Sequence, residues 1–307
     1  MDVQIFAPRF NQLFDYEQEL ERIATGFDFT EGPIWHPDQY SLIFSDILGN
    51  SIYRWTEKNG LEKLRRNSYM ANGNAYDRQG RVLTCEHATS RVTRTNFACA
   101  CEYEVLATHY QGKQLNSPND IVCKSDGMIY FTDPAAGRTA EFGVPRPQEL
   151  NFQGVYRLNP VDLSLTLLVD DFVKPNGLCF SVDERCLFIN DSAYNHIRVF
   201  DVKTDGTLEN GRLFAELRSV GKGVADGMKI DAAGNLYCCG PGGIHVFDQS
   251  GGYLGIILMP EQSANLTWGD DLRSLYITAT TSVYRLRSKT IGAVSYTHLT
   301  LPTIYSV

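Results

Sequence analysis

The chain has 307 residues, of which 43% are hydrophobic and 21% charged, and a net charge of −8. That balance describes an ordinary globular domain able to bury a sizeable core. No apolar run approaches the roughly eighteen residues of a membrane-spanning helix, and the acidic excess argues against nucleic acid, whose phosphates demand a basic face.

Residues 1–24 read as an amino-terminal arm. Met1-Asp2-Val3-Gln4-Ile5-Phe6 lacks the basic start and apolar core of a secretion signal, so a cytoplasmic protein is expected, or a periplasmic one if a leader has been removed. Leu13 to Ile23 carries a few apolar residues among acids without a helical stripe. Such an arm can supply a closing strand, which the sequence alone leaves open.

From residue 25 a single local pattern returns six times. Each repeat opens on a polar head: Glu31 in Thr30-Glu31-Gly32-Pro33-Ile34-Trp35, then Asn72, Asn119, Asn176, Asp226 and Asn265, at intervals of 41, 47, 57, 50 and 39 residues. A few strand-like residues follow, then an Asp- or Gly-rich turn such as Asp77-Arg78-Gln79-Gly80 or Asp231-Ala232-Ala233-Gly234, then a second apolar strand such as Met128-Ile129-Tyr130-Phe131-Thr132. Asp bonds its own backbone and Gly accepts positive φ, which is why these residues make turns.

A third strand alternates apolar with polar residues, as in Ser51-Ile52-Tyr53-Arg54-Trp55 and Ser282-Val283-Tyr284-Arg285-Leu286. A fourth is visible in the first five repeats, for example Leu165-Thr166-Leu167-Leu168-Val169. A period of about 40 to 50 residues built only of strands and turns predicts an all-β chain, a six-bladed β-propeller with about four antiparallel strands per blade, over residues 25–292.

The longest irregular stretch, 134–151, is a candidate lid over one mouth of the central channel, with a plain surface excursion as the alternative. Residues 293–307 neither repeat nor close anything and are read as a non-native tail, the alternative being a native closing strand. Eight cysteines are present; all but Cys99 and Cys101 fall in strand patterns, and reduced thiols of a cytosolic protein are expected rather than a zinc site or disulfides.

In a propeller the first strand of every blade lines the channel, so the six heads converge on one axis. Unpaired polar groups there are expensive to desolvate unless water or an ion satisfies them. Two carboxylates and several amide oxygens are hard ligands suited to one divalent cation, Ca²⁺ first, with Mg²⁺, Mn²⁺ or Zn²⁺ as alternatives. The plainer explanation of the heads is that Asn and Asp begin tight turns.

The motifs Thr30-Glu31-Gly32-Pro33-Ile34-Trp35, Cys85-Glu86-His87, Asn116-Ser117-Pro118-Asn119-Asp120, Tyr130-Phe131-Thr132-Asp133-Pro134, Lys174-Pro175-Asn176-Gly177-Leu178 and Asp226-Gly227-Met228 give the chain a resemblance to the senescence marker protein 30, gluconolactonase and luciferin-regenerating enzyme family. The resemblance implies a metal held by Glu31, Asn176 and Asp226, with Asn119 beside it in contact with metal or substrate. Asn72 and Asn265 are weaker candidates for lining the same pocket.

The reaction implied is hydrolysis of a sugar lactone, a small-molecule partner whose carbonyl the cation polarises for attack by water. Asp226 is the expected general base, with Asn119 as its catalytic companion. Glu86 and His87 are expected at the channel mouth in contact with substrate, Asn72 with them; a histidine bonded within its blade is the alternative for His87. Asp133 is read as a turn residue, and Arg91 and Arg94 as solvated strand positions. Two other functions fit the same residues: a phosphotriester hydrolase, and a binding propeller whose cation is purely structural. Oligomeric state is not legible.

Overall fold

The computed structural model describes residues 1–96 and 102–293. Six antiparallel sheets ring a common axis as the repeats predict; four are built wholly of strands consecutive in sequence, and a small two-stranded ribbon, His109–Tyr110 with Lys113–Gln114, lies outside them. Blade one, Thr30–His36, Ser41–Asp46, Ser51–Thr56 and Gly60–Arg66, shows the logic of all of them. Its innermost strand is buried at every position and its outermost almost wholly exposed. The apolar residues therefore pack between blades, and polar residues on the first strand are buried only because they face the channel.

The arm closes the ring. Blade six contributes only Ser263–Gly269, Ser274–Ala279 and Ser282–Arg287, and its outer place is taken by Glu21–Thr25, which pairs antiparallel with Ser282–Arg287. Val3–Ile5 adds a fifth, outermost strand to blade five. Between these strands Phe10 and Phe14 are fully buried against Tyr237, Ile244, Trp268 and Leu275, in the seam of blades five and six. Burial of two phenyl rings stabilises this join by about 1.5–3 kcal/mol each.

Chain direction assigns the two ends of the channel. Second strands run back toward the heads, as the pairing of Glu31 with Ser45 and of Thr30 with Asp46 shows. The turns leaving second strands, and the connections entering each blade, therefore surround the head end. The 134–151 stretch belongs to this end. Arg138 donates to the carbonyls of Leu115, Asn116 and Pro147, and Arg146 to those of His87, Gly137 and Val144. With its guanidinium groups spent on backbone oxygens, the stretch is a fixed wall over the mouth.

The six described cysteines, at 85, 123, 179, 186, 238 and 239, are free thiols, all buried except the half-buried Cys186. Cys99-Ala100-Cys101 and the expected non-native tail from 294 onward lie outside the described residues. Among the described residues no helix is long and apolar enough to cross a membrane.

Candidate active site

The heads are aimed at the axis by two local devices. First, the ladder between first and second strands shifts register at Glu31, Asn72, Asn176 and Asn265. Such bulges twist the strand and re-aim a side chain. Second, the glycine after a head lets neighbouring blades approach. A Cβ on Gly32 would lie 2.1 Å from the Asn72 carbonyl oxygen, one on Gly73 2.4 Å from that of Asn119, and one on Gly177 2.2 Å from that of Asp226. The recurring head-Gly dipeptide is thus a contact between blades, each glycine seating the next head. Hydroxyl groups complete the belt: Ser45 donates to the Asn72 carbonyl at 2.7 Å and Thr132 to that of Asn176 at 2.7 Å.

All six heads are buried to within a few per cent. Asn265 Nδ2 donates to Glu31 Oε2 at 2.9 Å, and the Gly32 N–H donates to the same oxygen at 2.6 Å. Asp226 stands close enough to Glu31 to share a hydrogen bond with it. Burial is the main cause that pushes both carboxyls above the usual carboxylate range; each also feels Asp120, and Asp226 feels Glu31. Two acids held together in a dry site favour a shared proton or a positive charge between them.

The amides divide by what they have left to offer. Asn176 donates Nδ2–H to Ser192 Oγ at 2.9 Å, which leaves its buried Oδ1 without a partner. Asn72 Nδ2 donates to His87 Nε2 at 3.0 Å, and its buried Oδ1 is likewise unpaired. The side chain of Asn119 makes no hydrogen bond among the described residues, while its backbone N–H donates to Thr132 at 2.8 Å and its carbonyl accepts from Gly73 at 2.8 Å. Asn265 is fully used, its Oδ1 accepting from Leu266 N–H at 2.9 Å. It holds Glu31 rather than a ligand.

His87 is fixed on both sides. Its Nδ1–H donates to the Phe142 carbonyl at 2.9 Å, so Nε2 is the acceptor for Asn72, and burial pulls its pKa down to about 4. It is a neutral support for Asn72, bonded within the fold. Glu86 is wholly buried, its oxygens taken by Arg65 at 3.0 Å, Arg91, Thr89 at 2.8 Å and Thr93 at 3.2 Å. Arg91, read from sequence as a solvated strand position, is instead an ion-pair partner. Asp133 is buried and grips the Asn116 N–H at 2.8 Å, ahead of the third head. Asp46 does the same for Asp28 and Phe29, and Asp191 for Val173 and Lys174.

Asp120 is the residue that sequence reasoning passed over. Buried beside Asn119, it accepts from Ile121 N–H at 3.0 Å and from Leu178 N–H at 3.4 Å in the next blade. It takes the place that glycine has after four other heads, and that break in the dipeptide pattern was the available signal. Further along the channel, beyond the heads, lies an apolar cavity of about 160 Å³ lined by Ile34, Trp35, Val122, Phe180 and Trp268 among others; none of the carboxylates at the heads reaches it.

Among the described residues no three His, Cys, Asp or Glu side chains gather closely enough to hold a metal on their own. The donor set on the axis is mixed: the carboxylates of Glu31 and Asp226 and the unpaired Oδ1 of Asn176. All are hard oxygen donors, the chemistry that Ca²⁺ and Mg²⁺ favour.

The model of the SMP-30/Gluconolactonase/LRE-like region matches residues 29–281, most of the ring just described. The chain belongs to that family. Among its relatives, a gluconolactonase of Zymomonas mobilis subsp. mobilis is 32% identical over 94% of this chain and 86% of its own. The pentonolactonase XacC of Haloferax volcanii is 26% identical over 83% of each chain. The solved structure of a gluconolactonase from Xanthomonas campestris superposes with a TM-score of 0.86 at 33% identity, over 94% of this chain and 95% of that one. A luciferin-regenerating enzyme, at 18% identity and a TM-score of 0.76 over 92% of this chain and 99% of its own, shares the fold. For this member of the SMP-30/gluconolactonase/LRE-like family, the six-bladed ring and the motifs that carried the resemblance are the same residues: every one of those motifs holds a head, or a residue that grips a head or the strand leading to it.

Proposed function

We propose that the chain is a gluconolactonase-like hydrolase that opens sugar lactones by attack of water, with Glu31, Asn176 and Asp226 holding one divalent cation, Ca²⁺ first. The observation that carries the reading is the buried pair Glu31–Asp226 beside the unpaired Asn176 Oδ1, a donor set expensive to keep dry without a cation. Its relatives' names, gluconolactonase and pentonolactonase, support the choice of a lactone. The cation, when bound, supplies Lewis-acid polarisation of the lactone carbonyl and charge to offset the developing oxyanion.

The chain's own groups do the rest. Asn119, with a free amide, and Asn72, with a free Oδ1 fixed by His87, orient the substrate's oxygens. Asp226 takes the proton of the attacking water as the new C–O bond forms. The ring C–O bond then breaks, and that proton passes to the departing oxygen, leaving the hydroxy acid. Glu86 contributes through the ion-pair cluster under the turn that presents His87. The free thiols support a reducing, cytoplasmic setting.

The test is hydrolysis of glucono-1,5-lactone, followed by proton release, by the wild type, Glu31→Gln and Asp226→Asn. The reading expects turnover by the wild type and a loss of at least a hundredfold in each variant. Undiminished rates in both variants would remove the pair from the mechanism.

A further inference from the structure

The head-end mouth has two unlike sides. On one, half-buried Phe29, just before Glu31, meets half-buried Phe142 of the wall edge-to-face, with ring centroids 5.1 Å apart. Blade four stands diametrically across a six-membered ring from blade one, and there Lys174 precedes Asn176 by two residues. The Lys174 backbone is pinned: its N–H donates to Asp191 at 3.1 Å, and its carbonyl accepts from Ser192 N–H at 3.0 Å. Its side chain is half-buried, and its ammonium has no hydrogen-bond or ion-pair partner among the described residues.

Four arginines near this end are engaged elsewhere. Arg65 and Arg91 serve Glu86, and Arg138 and Arg146 serve backbone carbonyls. The backbone of Lys174 lies at the head end, and its charge acts on Asp226 in blade five and on His87 in blade two. In a chain of net charge −8 this ammonium is in no ion pair among the described residues, and Asp226 is an acid on which its charge acts.

We propose that Lys174 is a specificity residue of the mouth, receiving an anionic group (a carboxylate or a phosphate ester) on the carbon chain of the lactone, with the C–H face of the sugar against Phe29 and Phe142. The inference rests on the lactonase reading and names its substrate class: lactones of sugars that carry a second acidic group. A neutral lactone offers Lys174 only hydroxyls, whereas an anionic one makes a charge-assisted hydrogen bond of roughly twice the strength.

The experiment compares kcat/KM for glucono-1,5-lactone, glucaro-1,4-lactone and 6-phosphoglucono-1,5-lactone in the wild type, Lys174→Met, Lys174→Glu and Lys174→Arg. The wild type should prefer at least one anionic lactone to the neutral one, and the two anionic substrates tell carboxylate from phosphate. Lys174→Met should lose about tenfold of that preference, Lys174→Glu more, and Lys174→Arg should keep it, with unfolding midpoints unchanged because the side chain has no partner to lose. A wild type indifferent to the anion, or a preference that survives in Lys174→Glu, overturns the proposal while hydrolysis of the neutral lactone leaves the lactonase reading standing. Hydrolysis of none of the three overturns both.

Discussion

Asn265, in the last blade, donates a hydrogen bond of 2.9 Å to the carboxylate of Glu31, in the first, 234 residues away in sequence. The bond crosses the seam where the ring closes, so closing the fold and orienting the first head are a single event. Replacing Asn265 by Leu leaves a buried carboxylate with one donor fewer, at a cost of about 2 kcal/mol. Thermal unfolding should show a lowered midpoint, and calorimetric titration a weaker Ca²⁺ affinity. An unchanged midpoint would mean that the Glu31 carboxyl is not held by this amide.

The glycine that follows four of the heads predicts a steric effect separable from backbone preference. Gly177→Ala places a methyl group 2.2 Å from the Asp226 carbonyl oxygen and must push blade five outward. A displacement of that order at a reacting centre costs ten- to a hundredfold in kcat/KM. Gly80, at φ +74° in an outer turn with open space around it, is the control. Gly80→Ala should cost about 1 kcal/mol in stability through its left-handed backbone and leave lactone turnover intact.

The arm is an integral part of the ring. Phe10→Ala removes a fully buried ring from the seam of blades five and six and should destabilise by about 3–5 kcal/mol. Urea unfolding measures it directly. A change below about 1 kcal/mol would mean that the arm rests on the blades without sealing them.

His87 makes stability depend on pH with a definite sign. Its pKa is about 4 in the fold, because burial disfavours the charged ring, against about 6.5 unfolded. Between those values the unfolded chain binds more protons, so this contribution is whole above pH 6.5 and is lost as pH falls toward 4, by about 3 kcal/mol. Asp133, raised to about 7 by burial, slopes the other way over much of that range, so total stability hides the effect. The difference between wild type and His87→Gln isolates it: the wild-type advantage should shrink steadily from pH 6.5 to 4, and a constant difference would contradict a neutral buried His87.

The heads, the turns and most strands were legible because a propeller repeats one pattern, and a single residue out of period would have shown. Glu21–Thr25 was not, since as an outermost strand it has no buried face to impose alternation, and its partner Ser282–Arg287 lies at the far end of the chain. The partners of Glu86 were hidden for a similar reason. Arg65 comes from the outer strand of the preceding blade and Arg91 from the neighbouring strand, and no local pattern announces a contact between blades. Asn265, read as a lining residue, proved to be bonded on both sides, a distinction that requires coordinates.

The most direct test of the account joins binding to turnover in one titration. Protein stripped with EDTA is titrated with Ca²⁺ at pH 7 while heat and glucono-1,5-lactone hydrolysis are followed together. The account predicts no hydrolysis without metal, recovery at one equivalent of Ca²⁺, and proton release on binding, because burial and the nearby Asp120 hold the Glu31 carboxyl above the usual carboxylate range and a cation favours its ionised form. Full hydrolysis by the stripped protein, with no Ca²⁺ bound, would contradict it.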